Sequence, residues 1–537
     1  MELAHEKRPG DDEPNEVDLQ TCCTVTGDEE PSEDDLQTCR RTADALPKAT
    51  WLVACVAMCE RFAFYGFTII LQNYIQYRKD DPLHPGALGL GQSIASLMVN
   101  MFQLMSYITP LPAAVVADQY LGRLKTLSLS LSIYALGLFI LTITSIPTLL
   151  ERGAGLAGVI TCMVIVSLGL GGIKSTLPPF LAEQCPKFRP KIHVTKSGER
   201  VVVTHEETLE YAFNAYYWAV NIGSQSMVAS TLVEKYVNYW ASFLLTLIAI
   251  CCALCLLTLG RNVYVDTESS PSVAWACRAC YIAVRNKFSF EAARPDQVAA
   301  AGREPAAWDD NFITEMQTAL TAARIGIPLV FYWLCQNQLI SNTISQAGMM
   351  ETHGIPNDLI PDANALAVVI LLPIVTHGLN PVLRRTKCTF TPVARISLGF
   401  LFEALAMGYA AGVQALIYAA PPCYSQPLTC AASDGGRLPN KVSVAVQLPV
   451  YILEGLSEVF SNPAIYEYAF TVAPKSMKSV LQAVFVLTAA AGSGLGMALA
   501  PTYYNPALLV VYASLGGAML VCAIGTFCLL NRRSSAA

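Results

Sequence analysis

The chain has 537 residues, of which 53% are hydrophobic and only 14% are Asp, Glu, Lys or Arg. Soluble proteins carry about 25% charged residues, so the composition excludes an ordinary soluble enzyme. The formal charge of −6 averages two unlike segments: residues 1–39 hold thirteen Asp and Glu against Lys7 and Arg8, which leaves +5 on the remainder.

Residues 1–45 are acidic and too poor in apolar side chains to bury a core, so a disordered cytoplasmic tail is expected there. It is duplicated: GDDEPNEVDLQTC (10–22) is followed by GDEEPSEDDLQTC (27–39). It contains no apolar signal-peptide core, so the first hydrophobic segment must direct the chain to the membrane.

From about residue 50, apolar stretches of membrane-spanning length follow one another, each long enough for a helix to cross about 30 Å of hydrocarbon. Twelve are expected, centred near residues 62, 103, 136, 168, 220, 248, 337, 374, 405, 457, 489 and 518. With the tail in the cytoplasm, eighteen Lys and Arg fall in inside loops, among them Arg123, Lys125, Lys187, Arg261, Arg384 and Lys475. Six fall outside: Arg78, Lys79, Arg152, Lys235, Arg437 and Lys441. This bias places both termini in the cytoplasm. The longest polar interruption, 262–320, divides an N-terminal six-helix bundle (46–261) from a C-terminal one (321–531), with 532–537 as a short cytoplasmic tail. The expected fold class is all-α and integral to the membrane, with two six-helix halves around a central cavity.

Charges inside apolar spans are costly, about 2.5–3.5 kcal/mol at a helix centre, and so usually face a cavity or a partner. The candidates are Glu60 and Arg61 in span one, Lys174 in span four, Glu403 in span nine, and Glu454 and Glu458 in span ten. Glu60 and Arg61 point about 100° apart on a helix, so separate partners on other helices are expected. Glu454 and Glu458, four apart, share a face and repel one another when both are ionised. Glu403, Glu454 and Glu458 each have an alternative reading as simple helix–helix contacts, and Lys174 one as the partner of Glu60. Lys174 lies in GLGLGGIKSTLPP, where the glycines allow close helix approach and the prolines are expected to end the helix. Tyr65, Tyr107, Tyr217, Trp218, Asn221, Trp333, Gln336 and Asn364 add polar and aromatic surface suited to a small amphipathic solute. Each has an alternative reading as a satisfied packing contact.

Most of the eighteen cysteines sit singly in apolar runs, where Cys packs as a small hydrophobe. Cys423 and Cys430 lie in a Pro/Ser/Gly-rich loop placed outside the cell, where either a disulfide or two free thiols are open readings. Cys277 and Cys280 form a CxxC with no second ligand pair nearby, so packing or palmitoylation is expected rather than metal. No HExxH, GxSxG or Walker loop is present, and neither enzymatic activity nor a metal is expected.

Six ordered blocks resemble the proton-dependent oligopeptide transporter family of the major facilitator superfamily, in particular its fungal peptide-permease branch. CERFAFYG (59–66) resembles the ExxERFxYYG segment, AAVVADQYLGRLKT (113–126) the general major-facilitator loop, GLGGIKS (169–175) the lysine motif, and NAYYWAVNIGS (214–224) the FYxxINxGS signature. Residues 332–358 and 456–479 are similar to the corresponding parts of spans seven and ten. The resemblance implies a symporter that imports di- and tripeptides with protons by alternating access, with no cofactor other than the coupling proton. Glu60, Glu458 and Glu454 would serve proton coupling. Arg61, Lys174, Glu458, Tyr65, Tyr107, Asn221, Asn364, Gln336 and Trp333 would bind substrate, and Asp118 and Arg123 would brace the cytoplasmic gate.

Three departures qualify that expectation. Ala57 replaces the first glutamate of the span-one pattern. Thr68 and Gln336 replace an arginine–acid pair. In span eight Asn364 survives, while an acid often found there is absent from Pro373-Ile374-Val375-Thr376. A same-family carrier of a non-peptide solute and a non-transporting nutrient sensor remain alternative readings. Small peptides and the lipid bilayer are the expected partners, with no nucleic acid; a functional monomer in the plasma membrane is expected.

Overall fold

The computed structural model describes residues 39–81, 83–84, 86–194, 200–265, 272–287, 289–302, 305–322, 325–375, 391–472 and 478–534. The duplicated tail up to residue 38, and the loop carrying Arg384, Arg385 and Lys387, lie outside the described residues.

One compact unit combines the described residues up to Pro47 with Cys185–Phe213. Its centre is a three-stranded sheet in which β3 (Arg200–Val203) lies between β1 (Arg40–Thr42), parallel to it, and β2 (Lys191–Val194), antiparallel. Val201, Val202 and Val203 are buried, and the Asp44 N–H donates to Thr208 Oγ1 at 2.9 Å. The expected tail, drawn to residue 45, therefore ends in an ordered strand. Three residues with a partner far away in sequence carry no periodic signal from which such a strand is legible.

The second unit, Lys48–Gln184 with Asn214–Ala537, is helical among its described residues apart from short strands. Its helices are α1 (Lys48–Gln76), α2 (Gln92–Leu121), α3 (Arg123–Thr144), α4 (Ala154–Glu183), α5 (His205–Ser224, beginning in the first unit), α6 (Ser226–Tyr236) and α7 (Tyr239–Leu259). There follow α8 (Ser272–Arg285), α9 (Asp310–Ala322), α10 (Gly326–Gln336), α11 (Asn342–Ala347), α12 (Asp362–Pro373), α13 (Pro392–Ala419), α14 (Leu448–Val472), α15 (Lys478–Leu499) and α16 (Leu508–Ser534). Among the described residues, nine helices are long and apolar enough to span a bilayer, and they coincide with nine of the twelve expected segments.

The remaining three expected segments are broken or shorter among the described residues. The stretch near 220 is divided at Gln225 between α5 and α6, and that near 337 is divided by turns between α10 and α11. That near 374 is seen only as far as α12 and the two residues beyond it. Helix α6 is too short for an apolar-run argument, and α5, though 20 residues long, opens on His205, Glu206, Glu207 and Glu210 and so lacks an unbroken apolar run. The segment 262–320 is itself helical in part: Ala276 and Ile282 of α8 pack against Trp308, Phe312 and Met316, and Trp308 Nε1 donates to Ala293 O at 3.0 Å. Cys277 and Cys280 are free thiols on α8, the first exposed and the second packed against this cluster.

Two large apolar cores form. One draws on α1–α4 and α7, with Phe67, Phe102, Tyr134 and Phe243 at its centre. The other draws on α10, α13, α14 and α16, with Phe400, Tyr451 and Tyr512. Lipid tails are as apolar as these side chains, so close backbone approach and polar contacts must join the helices. Gly169 of α4 supplies such an approach: a Cβ there would lie 2.7 Å from Ser130 O of α3.

Candidate functional site

The glycine run of α4 fixes the position of Lys174. A Cβ on Gly171 would stand 2.7 Å from the Thr109 backbone of α2, so any larger residue would push α4 away and withdraw the lysine. The helix continues through Pro178 and Pro179 to Glu183, contrary to the expected end at the prolines. Transmembrane helices accommodate such breaks where neighbouring groups satisfy the freed carbonyls.

Glu60 and Arg61 were expected to seek different helices, but they pair with each other. Arg61 Nε and Nη2 donate to the two Glu60 oxygens at 2.6 and 2.7 Å, with Glu60 fully buried. A long Arg side chain can fold back across the 100° between neighbours, and its planar fork matches both carboxylate oxygens. Lys174 has no carboxylate partner among the described residues. Its Nζ lies 4.1 Å from the Tyr107 ring centroid and 5.4 Å from that of Phe64, and it donates to Ser106 O at 3.4 Å. The Lys174–Glu60 ion pair is thus not formed in this conformation.

Arg61, Tyr65, Tyr107, Lys174 and Trp333 line one cavity of about 260 Å³, near the lower end of small-ligand pockets. The opposite wall comes from Asn462 and Ile465 of α14 and from Phe485 and Ala489 of α15. None of those four was singled out in the sequence; Asn462, polar within an apolar span and next to Pro463, is the one that a search for such residues finds.

Asn364, Gln336 and Asn221 do not line that cavity. Asn364 of α12 is buried and donates to Glu458 Oε1 of α14 at 3.0 Å. Glu458 is half-buried and within electrostatic reach of Tyr65 and Tyr217 of the other half. Gln336 donates to Glu403 Oε2 at 3.1 Å, and Asn221 to Tyr217 O of its own helix at 2.8 Å. Glu454 is fully buried one turn from Glu458. Ala57 is fully buried in the first core.

At the end of the helices bearing the 77–91 connection, polar contacts join the halves. Asn73 and Asn357 exchange amide hydrogen bonds of 2.8 and 3.1 Å. Gln72 donates to Ser345 at 3.2 Å, Ser96 to Asn342 at 3.1 Å, and His84 Nε2 to Gly348 O at 3.0 Å. Elsewhere Arg123 pairs with Glu183, an acid the sequence reading did not single out, and Asp118 lies on the wider turn Ala117–Leu121. Cys423 and Cys430 are joined by a disulfide. No group of metal-ligating side chains assembles among the described residues.

A cationic, aromatic-walled cavity lined by helices of both cores, with polar side-chain contacts joining the halves at one end, is the arrangement of a membrane carrier. The POT family matches residues 124–514, and the chain belongs to that family. It is 40% identical over 480 residues to peptide transporter PTR_A of Candidozyma auris, covering 89% of this chain and 80% of that one. It is 36% identical to peptide transporter PTR2 of Saccharomyces cerevisiae, covering 90% and 78%. The fold matches the crystal structure of the POT family transporter PepTSo with a TM-score of 0.70 at 19% identity, over 92% and 99% of the chains. It also matches a POT family transporter in complex with a thioalcohol conjugated peptide, with a TM-score of 0.65 at 17% identity, over 91% and 98%.

Proposed function

We infer that the protein is a proton-coupled symporter that brings di- and tripeptides into the cell by alternating access, as a monomer in the plasma membrane. In this reading the chain crosses the bilayer twelve times as two six-helix halves, with both termini cytoplasmic. The end closed by Asn73, Asn357 and His84 then faces outward, so the cavity is drawn in a state shut to the outside.

The observation that carries the reading is the position of Lys174: a cation deep among apolar helices, which among the described residues touches ring faces and one carbonyl and has no carboxylate in contact. A desolvated ammonium in that setting attracts an anion strongly, and a peptide carries one at its C-terminus. Its N-terminal ammonium is met by Glu458 from the other half, so one zwitterion draws both halves together. Tyr65, Tyr107 and Trp333 accept varied side chains through their ring faces, while Asn364 orients Glu458 and Gln336 holds Glu403 behind the cavity wall.

Arg61 exchanges Glu60 for the peptide carboxylate when Glu60 takes up a proton, which links substrate to coupling ion; Glu454 and Glu458 supply further protonatable groups. Arg123 and Asp118 brace the cytoplasmic gate. Replacing Glu458 by Gln is expected to abolish uptake of a labelled dipeptide while surface expression stays normal. Normal uptake by Glu458→Gln contradicts the assignment.

A further inference from the structure

The second core contains two carboxyl groups that no substrate contact explains. Glu403 of α13 and Glu454 of α14 are both fully buried. Among the described residues, one Glu403 oxygen and both Glu454 oxygens lack a close hydrogen bond, with Ser457 facing Glu403 and Asn364 facing Glu454 as more distant donors. The two act on each other electrostatically, and Glu458 acts on both. Among the described residues, the other groups facing them that can ionise are Tyr332 and Cys335 of α10, Tyr451 of α14 and Tyr512 of α16. None of these is a cation. Asn364 and Ser457 stand beside the pair as neutral groups. Two anions without a counter-charge in this setting are prohibitively expensive, so the pair must hold at least one proton in this conformation.

A hydrogen-bonded chain links Glu403 to the cavity. Gln336 donates to Glu403 Oε2 at 3.1 Å and to Tyr332 Oη at 3.4 Å. Tyr332 Oη donates in turn to Asn462 Oδ1 at 3.5 Å, and Asn462 lines the cavity beside Trp333. Gln336 is also the last residue of α10 before the turns that lead to α11. Helix α11 carries Asn342 and Ser345, which join the two halves at the closed end. One short helix thus touches the cavity, the buried acid and, through α11, the closed end.

We propose that Glu403 is a proton-binding residue of the transport cycle, sharing its proton with Glu454, and that Gln336 is the positioning residue that reports its protonation to α10 and α11. Water that enters as α10 moves is the proton acceptor, and Glu458, half-buried one helical turn from Glu454, is the more accessible carboxyl beside the pair. The proton on Glu403 leaves to that water when α10 shifts, and Gln336 then holds a carboxylate rather than a neutral acid. The proposal rests on the carrier reading above, and adds to it a coupling group on a helix to which no role has been given.

The test uses the full-length protein in liposomes. With one-for-one loss of a coupled proton, maximal dipeptide accumulation falls about tenfold per unit of pH gradient. Glu403→Gln is expected to show that fall while dipeptide counterflow at equal pH stays within the wild-type range, and Glu403→Asp is expected to restore accumulation. Infrared difference spectra between acidic and alkaline pH supply a readout independent of cargo. The carboxylic C=O band of the wild type is expected to weaken in Glu403→Gln and to shift in Gln336→Ala. Unchanged accumulation in Glu403→Gln, or unchanged infrared bands in both variants, overturns the proposal. A wild type that moves no dipeptide overturns the cargo reading instead, and the infrared bands alone then decide on Glu403.

Discussion

Arg61 and Lys174 both bring positive charge to the cavity, yet Arg61 commits its fork to Glu60 while Lys174 meets only ring faces and the Ser106 carbonyl. Lys174 is therefore the group that reads the peptide carboxylate first. Replacing Lys174 by Gln removes one charge-assisted hydrogen bond worth about 1.5–3 kcal/mol, or roughly ten- to a hundredfold in affinity. The wild type is expected to prefer a free-carboxylate dipeptide over its amide, and the variant is expected to lose that preference in a binding assay. A preference retained by Lys174→Gln contradicts this role. The charged residues were legible in the sequence because an ion in an apolar span stands out. Their pairings were not: rotamer choice turned Arg61 back onto Glu60, and Gln336 reached Glu403 rather than the cavity.

The closed end depends on α11 and the loop after it. Asp358 in that loop is fully buried, facing Glu234 of α6, with Asn73 of α1, Tyr77 just past the end of α1 and Tyr239 of α7 around it. Burial pushes its carboxyl up to about 7. Burial also lowers the imidazole of nearby His84, whose Nε2 donates to Gly348 O.

The closed form thus binds a proton on the Asp358–Glu234 pair more tightly than an opened form, in which the two carboxyls return to their ordinary values of about 4. Closure is expected to be strongest below those values and to weaken as pH rises to about 7. Hydrogen exchange of segment 345–360, corrected for intrinsic rate, measures this; the pH step is expected to vanish in Asp358→Asn. A step that persists in the variant places the titrating group elsewhere. Nine spans were legible because each is one unbroken apolar helix. The elements that were not, α5–α6, α10–α11 and the sheet of β1–β3, owe their form to tertiary contacts: α11 is seated by residues of the other half, and β1 is three residues long. The contacts that break and reform in a carrier are thus found where local sequence signals are weakest.

Inward transport against a peptide gradient needs an external source of free energy. A proton moving inward supplies about 2.3 kcal/mol per 100 mV of membrane potential, in addition to the pH difference. The chain lacks the first span-one glutamate, with Ala57 packed into the first core, but retains Glu60 and adds carboxyl groups in the second half. Coupling is therefore expected to persist with its proton sites redistributed between the halves. Exchanging Gln336 for Glu is expected to place a third acid beside Glu403 and Glu454 and to move the pH optimum of uptake, measured in the same vesicles. An unchanged optimum argues against a functional link between α10 and that pair. The most direct measurement is simultaneous recording of dipeptide uptake and internal acidification in liposomes holding the purified protein, with and without an imposed pH gradient. Dipeptide is expected to accumulate only when the interior is alkaline or electrically negative, and to carry protons inward with it. Uptake that ignores both gradients, or dipeptide flux without acidification, contradicts the claim of proton-coupled peptide import.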